Sequence, residues 1–504
     1  DIGWYRYEVR LADVKGRTVV AYPGSFIIIA PDTRKAGYES PFFTWNKLGL
    51  KGTNEFRRIA AFLKRIGVRR TQLNKYTEED AKEFGLTLGT CYHCRWKRDG
   101  TRQEMMDSFE KNVREAMAKW PHIDTALVYH EHRGGPAPQE LVGGVTQLTE
   151  DDLAHQLDTA EGAIWRGEVW HKVAPQVKLQ IGNSGSSLGL MAEVFRGKVP
   201  ANLFDTIGEE STGEAETPER SVGWAFRNLQ DLAAIYGYTN RAMACHEWKC
   251  RVPRLFYGNL RKHAAWRTRD SLIALAWGSR TVSVGSDADS GAGYFITCWG
   301  SGAMTREPLE QPYPVLAATA NLTRVLDRCR FTRLVPTGSK SAYLVEFRDP
   351  EGRYVYAGWT ARGVVEAKLR SEASSLVVTD LFGREGRVPA RPYAVTLSEE
   401  PVYLTPDAPI ISADATGPRT YPWEEHPELA GWKVLDPLAS ADAWTLETDK
   451  GWKPVYRRNR LLATRPGAFE FKTGTDEKGR GCLSLTLKRG GEVKPLVGEC
   501  GWIR

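Results

Sequence analysis

Between about residues 41 and 328, short apolar runs alternate with amphipathic stretches, and this alternation restricts the fold more than any other feature. The apolar runs are Phe42–Trp45, Val68–Leu73, Leu86–Cys91, Thr125–Tyr129, Val177–Ile181, Leu203–Ile207, Ala242–Cys245 and Thr281–Val284. Each has the length of a β-strand. The intervening stretches carry helical periodicity. In 53–66 the residues Phe56, Ile59, Ala60, Leu63 and Ile66 share one face, and in 102–119 Met105, Phe109, Val113, Ala116 and Met117 do the same. Further helices are expected at 77–84, 149–170, 188–196, 218–236, 260–277 and 314–328. Strands that alternate with helices pair in parallel. Eight strand–helix units over this length predict an α/β fold, a closed (β/α)8 TIM barrel spanning 41–330, in preference to an open doubly wound sheet. No G-x-G-x-x-G follows the first run, which argues against a dinucleotide-binding sheet.

The flanks read differently. Residues 1–40 form an N-terminal β-segment of three short strands, Tyr5–Leu11, Thr18–Tyr22 and Phe26–Ile29, separated by turn signals at Lys15-Gly16 and Pro23-Gly24. Beyond 340 the helical pattern stops and strands recur about every ten residues, the signature of a β-sandwich over 340–405. A stretch rich in Pro, Asp and Ala, 405–420, reads as a loop. The remainder, 421–504, places Trp423, Trp432, Trp444, Trp452 and Trp502 among short β-runs and reads as a small Trp-rich module.

Composition narrows the functional classes. Lys and Arg exceed Asp and Glu by 69 to 62, a mild basic bias spread along the chain, whereas a nucleic-acid binder gathers its basic residues on one face. No apolar run approaches the roughly 18 residues of a membrane span. Eight Cys in 504 residues are too sparse for a disulfide scaffold, and Cys91-x-x-Cys94 lacks the second pair of a zinc ribbon, so buried free thiols are expected. A bridge between Cys482 and Cys500 stays open. The chain starts at Asp1 without Met, which reads as a processed or trimmed form and leaves export undecided. The 17 Trp suit apolar cores, and equally the stacking of an aromatic face on a sugar ring.

A β/α barrel carries its chemistry at the C-terminal ends of its strands. The residues met there are Trp45 after strand 1, His93 after strand 3, His130-Glu131-His132-Arg133 after strand 4, Asn183 after strand 5, Glu209 and Glu210 after strand 6, His246-Glu247 after strand 7, and Asp287, Asp289 and Trp299 after strand 8. Glu131 and Glu247 stand out, because each follows a short apolar strand and three units separate them. Two carboxylates on either side of one bond are the machinery of glycoside hydrolysis, about 5–5.5 Å apart in retaining enzymes and about 6.5–9.5 Å in inverting ones. His93, His130, Trp45, Asn183, Trp299 and Asp287 are candidate substrate-binding residues. Each histidine could equally be a packed core residue, and Trp299 a core residue rather than a stacking platform. Glu209 and Glu210, with Glu214, Glu216 and Glu219, read as an acidic solvated loop.

This layout resembles the superfamily of retaining glycoside hydrolases with an eightfold barrel, often called clan A, over about 41–404. The resemblance implies Glu131 as acid/base, Glu247 as nucleophile, no cofactor and a carbohydrate partner. It extends to Val377-Val378-Thr379-Asp380-Leu381-Phe382-Gly383 and Pro401-Val402-Tyr403-Leu404, which are similar to the sandwich that follows many such barrels. Most members have Asn before the acid/base, where this chain has His130, as some mannan-cleaving families do. Polysaccharide degradation implies an extracellular or periplasmic setting. The basic loops holding Arg95, Lys97, Arg98, Arg133, Arg251 and Arg254 point to an anionic or sulfated glycan. Two other readings compete: a metal-dependent hydrolase with His130 and His132 as ligands, and a barrel that binds glycan without cutting it. Asp287-x-Asp289-x-Gly291 lacks the bidentate Glu of a calcium loop.

Overall fold

The computed structural model describes residues 1–35, 41–44, 61, 63–71, 78–87, 92–95, 99–128, 141–142, 145–146, 150–181, 191, 195, 203–209, 217–238, 242–245, 259–284, 288–289, 305–306, 311–388, 392–420, 469–475, 481–489 and 492–495. The chain divides into two compact units, Asp1–Pro422 and Trp423–Arg504.

An eight-stranded sheet organises the first unit. Its strands are β3 (Phe42–Thr44), β4 (Arg70–Thr71), β5 (Tyr92–His93), β6 (Thr125–Leu127), β7 (Lys178–Ile181), β8 (Thr206–Glu209), β9 (Ala242–Cys245) and β10 (Ser279–Ser283). They are preceded by a hairpin of β1 (Gly3–Ala12) and β2 (Thr18–Ile28). The order is β4-β3-β10-β9-β8-β7-β6-β5, and every ladder is parallel. The first strand of the series therefore pairs with the last, Val282 opposite Phe42. At the other break in the order, Thr87 forms a parallel bridge with Arg70 of β4.

Helices follow the strands: α1 (Glu78–Phe84), α2 (Arg102–Lys119), α3 (Glu150–Val173), α4 (Pro218–Ile235), α5 (Leu260–Ala276) and α6 (Pro314–Val325). The start of α2 is fixed by a capping box, in which the Thr101 side chain accepts from the Glu104 amide and the Glu104 side chain accepts from the Thr101 amide. Its buried face, Phe109, Val113 and Ala116, is the one expected from the sequence. Phe42, Ala126 and Val282 belong to the large core shared with the helices. Phe43 and Leu127 form a separate buried cluster on the opposite face of the sheet. Among the described residues no helix is long and apolar enough to cross a membrane.

After α6 every described strand pairs antiparallel. One sheet joins β11 (Arg330–Leu334), β12 (Ala342–Arg348), β13 (Tyr354–Thr360), β18 (Val402–Pro406), β15 (Leu376–Thr379) and β16 (Glu385–Arg387), and a second joins β17 (Tyr393–Leu397), β14 (Val365–Ser371) and β19 (Ile410–Asp414). In β14 buried and exposed residues alternate strictly, which is what one covered face requires. Strand β13 is buried almost throughout, because Tyr356 enters the core between the two sheets while Val355, Ala357 and Trp359 enter the core shared with the helices. Strand β19 lies within 405–420, the stretch expected to be a loop. Its Pro and Asp flanks give the loop signal, whereas the strand itself is specified by pairing with β14 from Lys368–Asp414 to Ser371–Ile410.

The N-terminal segment has two strands where three were expected. The turn falls at residues 13–17, where the Asp13 carboxylate accepts from the amides of Lys15 and Arg17 and Gly16 takes φ 75°. Pro23-Gly24 continues β2 and pairs with Glu8 and Tyr7. A Cβ on Gly24 would lie 2.2 Å from the Tyr7 ring, so glycine here makes room for a cross-strand tyrosine and does not turn the chain. In the second unit the described strands, β20 (Phe469–Thr475), β21 (Gly481–Arg489) and β22 (Glu492–Pro495), form an antiparallel meander.

Candidate active site

Because all eight strands are parallel, their C-terminal ends emerge at one end of the sheet. Of the predicted site residues, His93 is described. Glu131, Glu247, His130, Trp45, Asn183, Trp299 and Asp287 lie outside the described residues, as does His132. Strand β6 and Val128 carry the chain to within three residues of Glu131, and β9 ends two residues before Glu247.

His93 was expected just past its strand but is the last residue of β5, paired in register with Leu127. In-register partners point to the same side of a sheet, so His93 shares the face of Leu127 and Phe43. It is exposed there. The preceding Tyr92 takes the opposite face, edge-on to Trp170 at 6.2 Å and tilted against Trp120 at 5.9 Å. Burial pushes the Tyr92 hydroxyl up to about 12, so it stays protonated at neutral pH. Cys94 is buried and its thiol is likewise raised to about 12 by desolvation, which makes it inert packing.

Four more in-register pairs extend the face. Leu127 pairs with Gln180, and Gln180 with Thr206. On the other side Phe43 pairs with Ser283 and with Arg70. Gln180, Thr206, Ser283 and Arg70 are all buried, so this side of the sheet is a polar lining around an apolar pair. Gln180 Nε2, Thr206 Oγ1 and Ser283 Oγ meet no hydrogen-bond partner among the described residues. Buried polar atoms of this kind are commonly satisfied by ordered water. Arg70 spans to Asp124, just before β6, at 2.8 Å.

The exit of β6 is held by a residue that the sequence did not single out. Arg166 of α3 donates from Nε to the Val128 carbonyl at 2.8 Å, and the Val128 amide donates to the Gln180 carbonyl at 2.9 Å. The guanidinium is buried and lies 5.3 Å from the centre of the Trp165 ring, which in turn meets Phe109 edge-on. The available signal was an arginine among Ala163, Trp165, Val169 and Trp170, a setting in which a buried cation must have a partner.

Glu219 corrects the reading of an acidic solvated loop. It lies in the first turn of α4, and Arg269 of α5 grips it through Nε at 2.8 Å and Nη2 at 2.6 Å. Trp359 of β13 donates to the same carboxylate at 2.7 Å. Glu209 is the last residue of β8 and not past it. Among the described residues no group of three or more His, Cys, Asp or Glu side chains is arranged to hold a metal.

No protein-family model and no curated protein matches the chain. Solved structures do. A family 39 glycoside hydrolase from the gut symbiont Bacteroides cellulosilyticus WH2 superposes with a TM-score of 0.60 at 13% identity, over 81% of this chain and 88% of that one. A conserved exported protein from Bacteroides fragilis gives 0.47 at 11% identity, over 74% and 98%. A monomeric β-xylosidase from Caulobacter crescentus CB15 gives 0.43 at 8% identity, over 75% and 97%. The first of these shows that the chain shares the fold of a glycoside hydrolase.

Proposed function

We propose that this chain is a glycoside hydrolase acting on a poly- or oligosaccharide, with the parallel sheet closed into a (β/α)8 barrel. The pairing of β3 with β10, together with the Arg70–Thr87 bridge, supports closure. The observation that carries the functional reading is the sheet order β6-β7-β8-β9. It makes the strands before Glu131 and Glu247 the fourth and seventh of a parallel series, with their C-terminal ends at the same end of the sheet.

In this reading Glu131 starts protonated and donates its proton to the leaving oxygen, while ionised Glu247 attacks the anomeric carbon. The C–O bond to the leaving group breaks as the ester to Glu247 forms. Glu131, now ionised, takes a proton from water, and that water displaces Glu247 with a second inversion, so configuration is retained overall. The acid must hold its proton at working pH and the nucleophile must not, so their surroundings must differ. His93 on the inward face, with His130, Trp45, Asn183, Trp299 and Asp287, would position the sugar. No cofactor is required. The setting is extracellular or periplasmic, where polysaccharides are met.

One described residue favours an anionic glycan. Arg95 is exposed two residues beyond His93, and its carbonyl is held by Asn112 of α2 at 2.8 Å. Affinity that falls with added salt would support a charged substrate, and salt-independent affinity would remove it. The glycosidase reading itself is tested on a panel of aryl glycosides and polysaccharides. Turnover by the wild type that disappears in Glu247→Gln, with folding intact, supports it. Turnover unchanged in Glu247→Gln, or abolished by chelation, contradicts it.

A further inference from the structure

The N-terminal hairpin carries an apolar face that no described residue covers. Its base is tied to the body. Trp4 Nε1 and Ser25 Oγ both donate to the Pro312 carbonyl, at 2.7 and 2.8 Å, and Arg384 Nε donates to the Ile2 carbonyl at 2.6 Å. Beyond Arg6 and Gly24 every residue of both strands is exposed. The free part, Tyr7–Ala12 with Thr18–Pro23, is an arm about 20 Å long at the usual strand rise.

Register sorts this arm into two unlike faces. Arg6, Glu8 and Arg10 lie on one, opposite Ser25, Pro23 and Ala21, and Arg10 pairs with Glu8. The other face carries Tyr7, Val9 and Leu11 on β1, and Val20, Tyr22 and Phe26 on β2, with no charge among them. These six side chains are 39% to 63% exposed. The Tyr7 ring lies over Gly24 and extends the apolar surface toward Phe26, with ring centres 6.3 Å apart.

We propose that this face is the contact between two copies of the chain, packed hairpin on hairpin about a two-fold axis. A largely apolar face without charge is complementary to its own copy, as an isologous interface must be. Full cover of the six side chains removes about 550 Å² per copy and about 1,100 Å² in all, above the roughly 1,000 Å² expected of a specific interface. Sheets pack face to face at about 10 Å, a separation that side chains of this size fill. A two-stranded hairpin is marginal in water until one face is covered. A sugar would stack on ring faces, yet Val9, Leu11 and Val20 offer none, and a charged partner finds no complement. The inference is independent of the glycosidase reading.

The test is the mass of the full chain in solution, by light scattering on a sizing column and by sedimentation from 1 to 100 µM. The wild type is expected at twice the monomer mass of 56.4 kDa, with no loss of dimer at raised salt. Leu11→Glu combined with Val20→Glu should weaken the dimer by about 100-fold or more, since both charges would be buried at the contact. Ala21→Glu, which adds a charge on the opposite face, should leave the dimer intact. Thermal melting of the body and amide-exchange protection of residues 3–6 and 24–28 show whether each variant keeps its hairpin. A wild type that stays monomeric at 100 µM overturns the proposal. So does a dimer indifferent to the double substitution, or a monomer whose apolar face instead binds lipid vesicles or an insoluble polysaccharide.

Discussion

Arg166 donates to the carbonyl of Val128 across 2.8 Å of buried space, and so fixes the last described residue before the segment that holds Glu131. A helix packed on the sheet thereby holds the exit of β6. Arg166→Met removes the donor and leaves a buried carbonyl unmatched. The expected cost is about 1–3 kcal/mol, measured by urea unfolding. If Glu131 is the acid, kcat should fall more for alkyl glycosides than for nitrophenyl glycosides, whose leaving groups need little protonation.

The Glu219–Arg269–Trp359 cluster joins α4, α5 and the six-stranded antiparallel sheet. The side chains of Glu219 and Arg269 are 8% and 0% exposed. Glu219→Ala leaves a buried guanidinium without its carboxylate and should cost about 3–5 kcal/mol. The pair Glu219→Leu with Arg269→Met should cost much less than the sum of the single changes, because no lone charge remains. Urea unfolding of the wild type, Glu219→Leu, Arg269→Met and the double variant closes the cycle.

Acid should loosen the fold through a specific carboxylate. Arg328 holds Glu351 by two hydrogen bonds of 2.6 Å, with Lys35 as a second partner, and these lower its carboxyl from 4.5 to about 2. A depressed carboxyl contributes its stability in full above about 4.5 and loses it as pH falls toward 2. Asp407, held by Ser374 and by the Ser375 amide, is likewise lowered to about 2. The urea midpoint should therefore drop between pH 5 and pH 2.5, and Glu351→Gln should flatten part of that drop. An identical slope in the variant would contradict the assignment.

Cys94 and Cys329 are buried, free and raised to about 12 by desolvation. At pH 8 neither should react with iodoacetamide in the folded protein, and both should react once it is unfolded. Peptide mapping of the alkylated sites distinguishes them from the other six Cys.

The parallel sheet was legible in the sequence because its signal is local: short apolar runs, helical faces and caps each lie within a few residues. Phe109, Val113 and Ala116 announce α2 without reference to anything distant. What was misread depends on partners far along the chain. Glu219 looks like a loop acid until Arg269, 50 positions on, is brought against it. Ile410–Asp414 looks like a loop until β14 pairs with it. Pro23-Gly24 has the chemistry of a turn, yet an edge strand tolerates the proline and a cross-strand tyrosine needs the glycine. Of the candidate site, the strand ends and His93 are described, and Arg166 came from the packing alone.

The central claim is that Glu131 and Glu247 act in turn on one anomeric carbon. Proton NMR of the first product released from an aryl glycoside tests it most directly. A first product with the anomeric configuration of the substrate is the predicted result. A first product of opposite configuration would contradict the double displacement and, with it, the role assigned to Glu247.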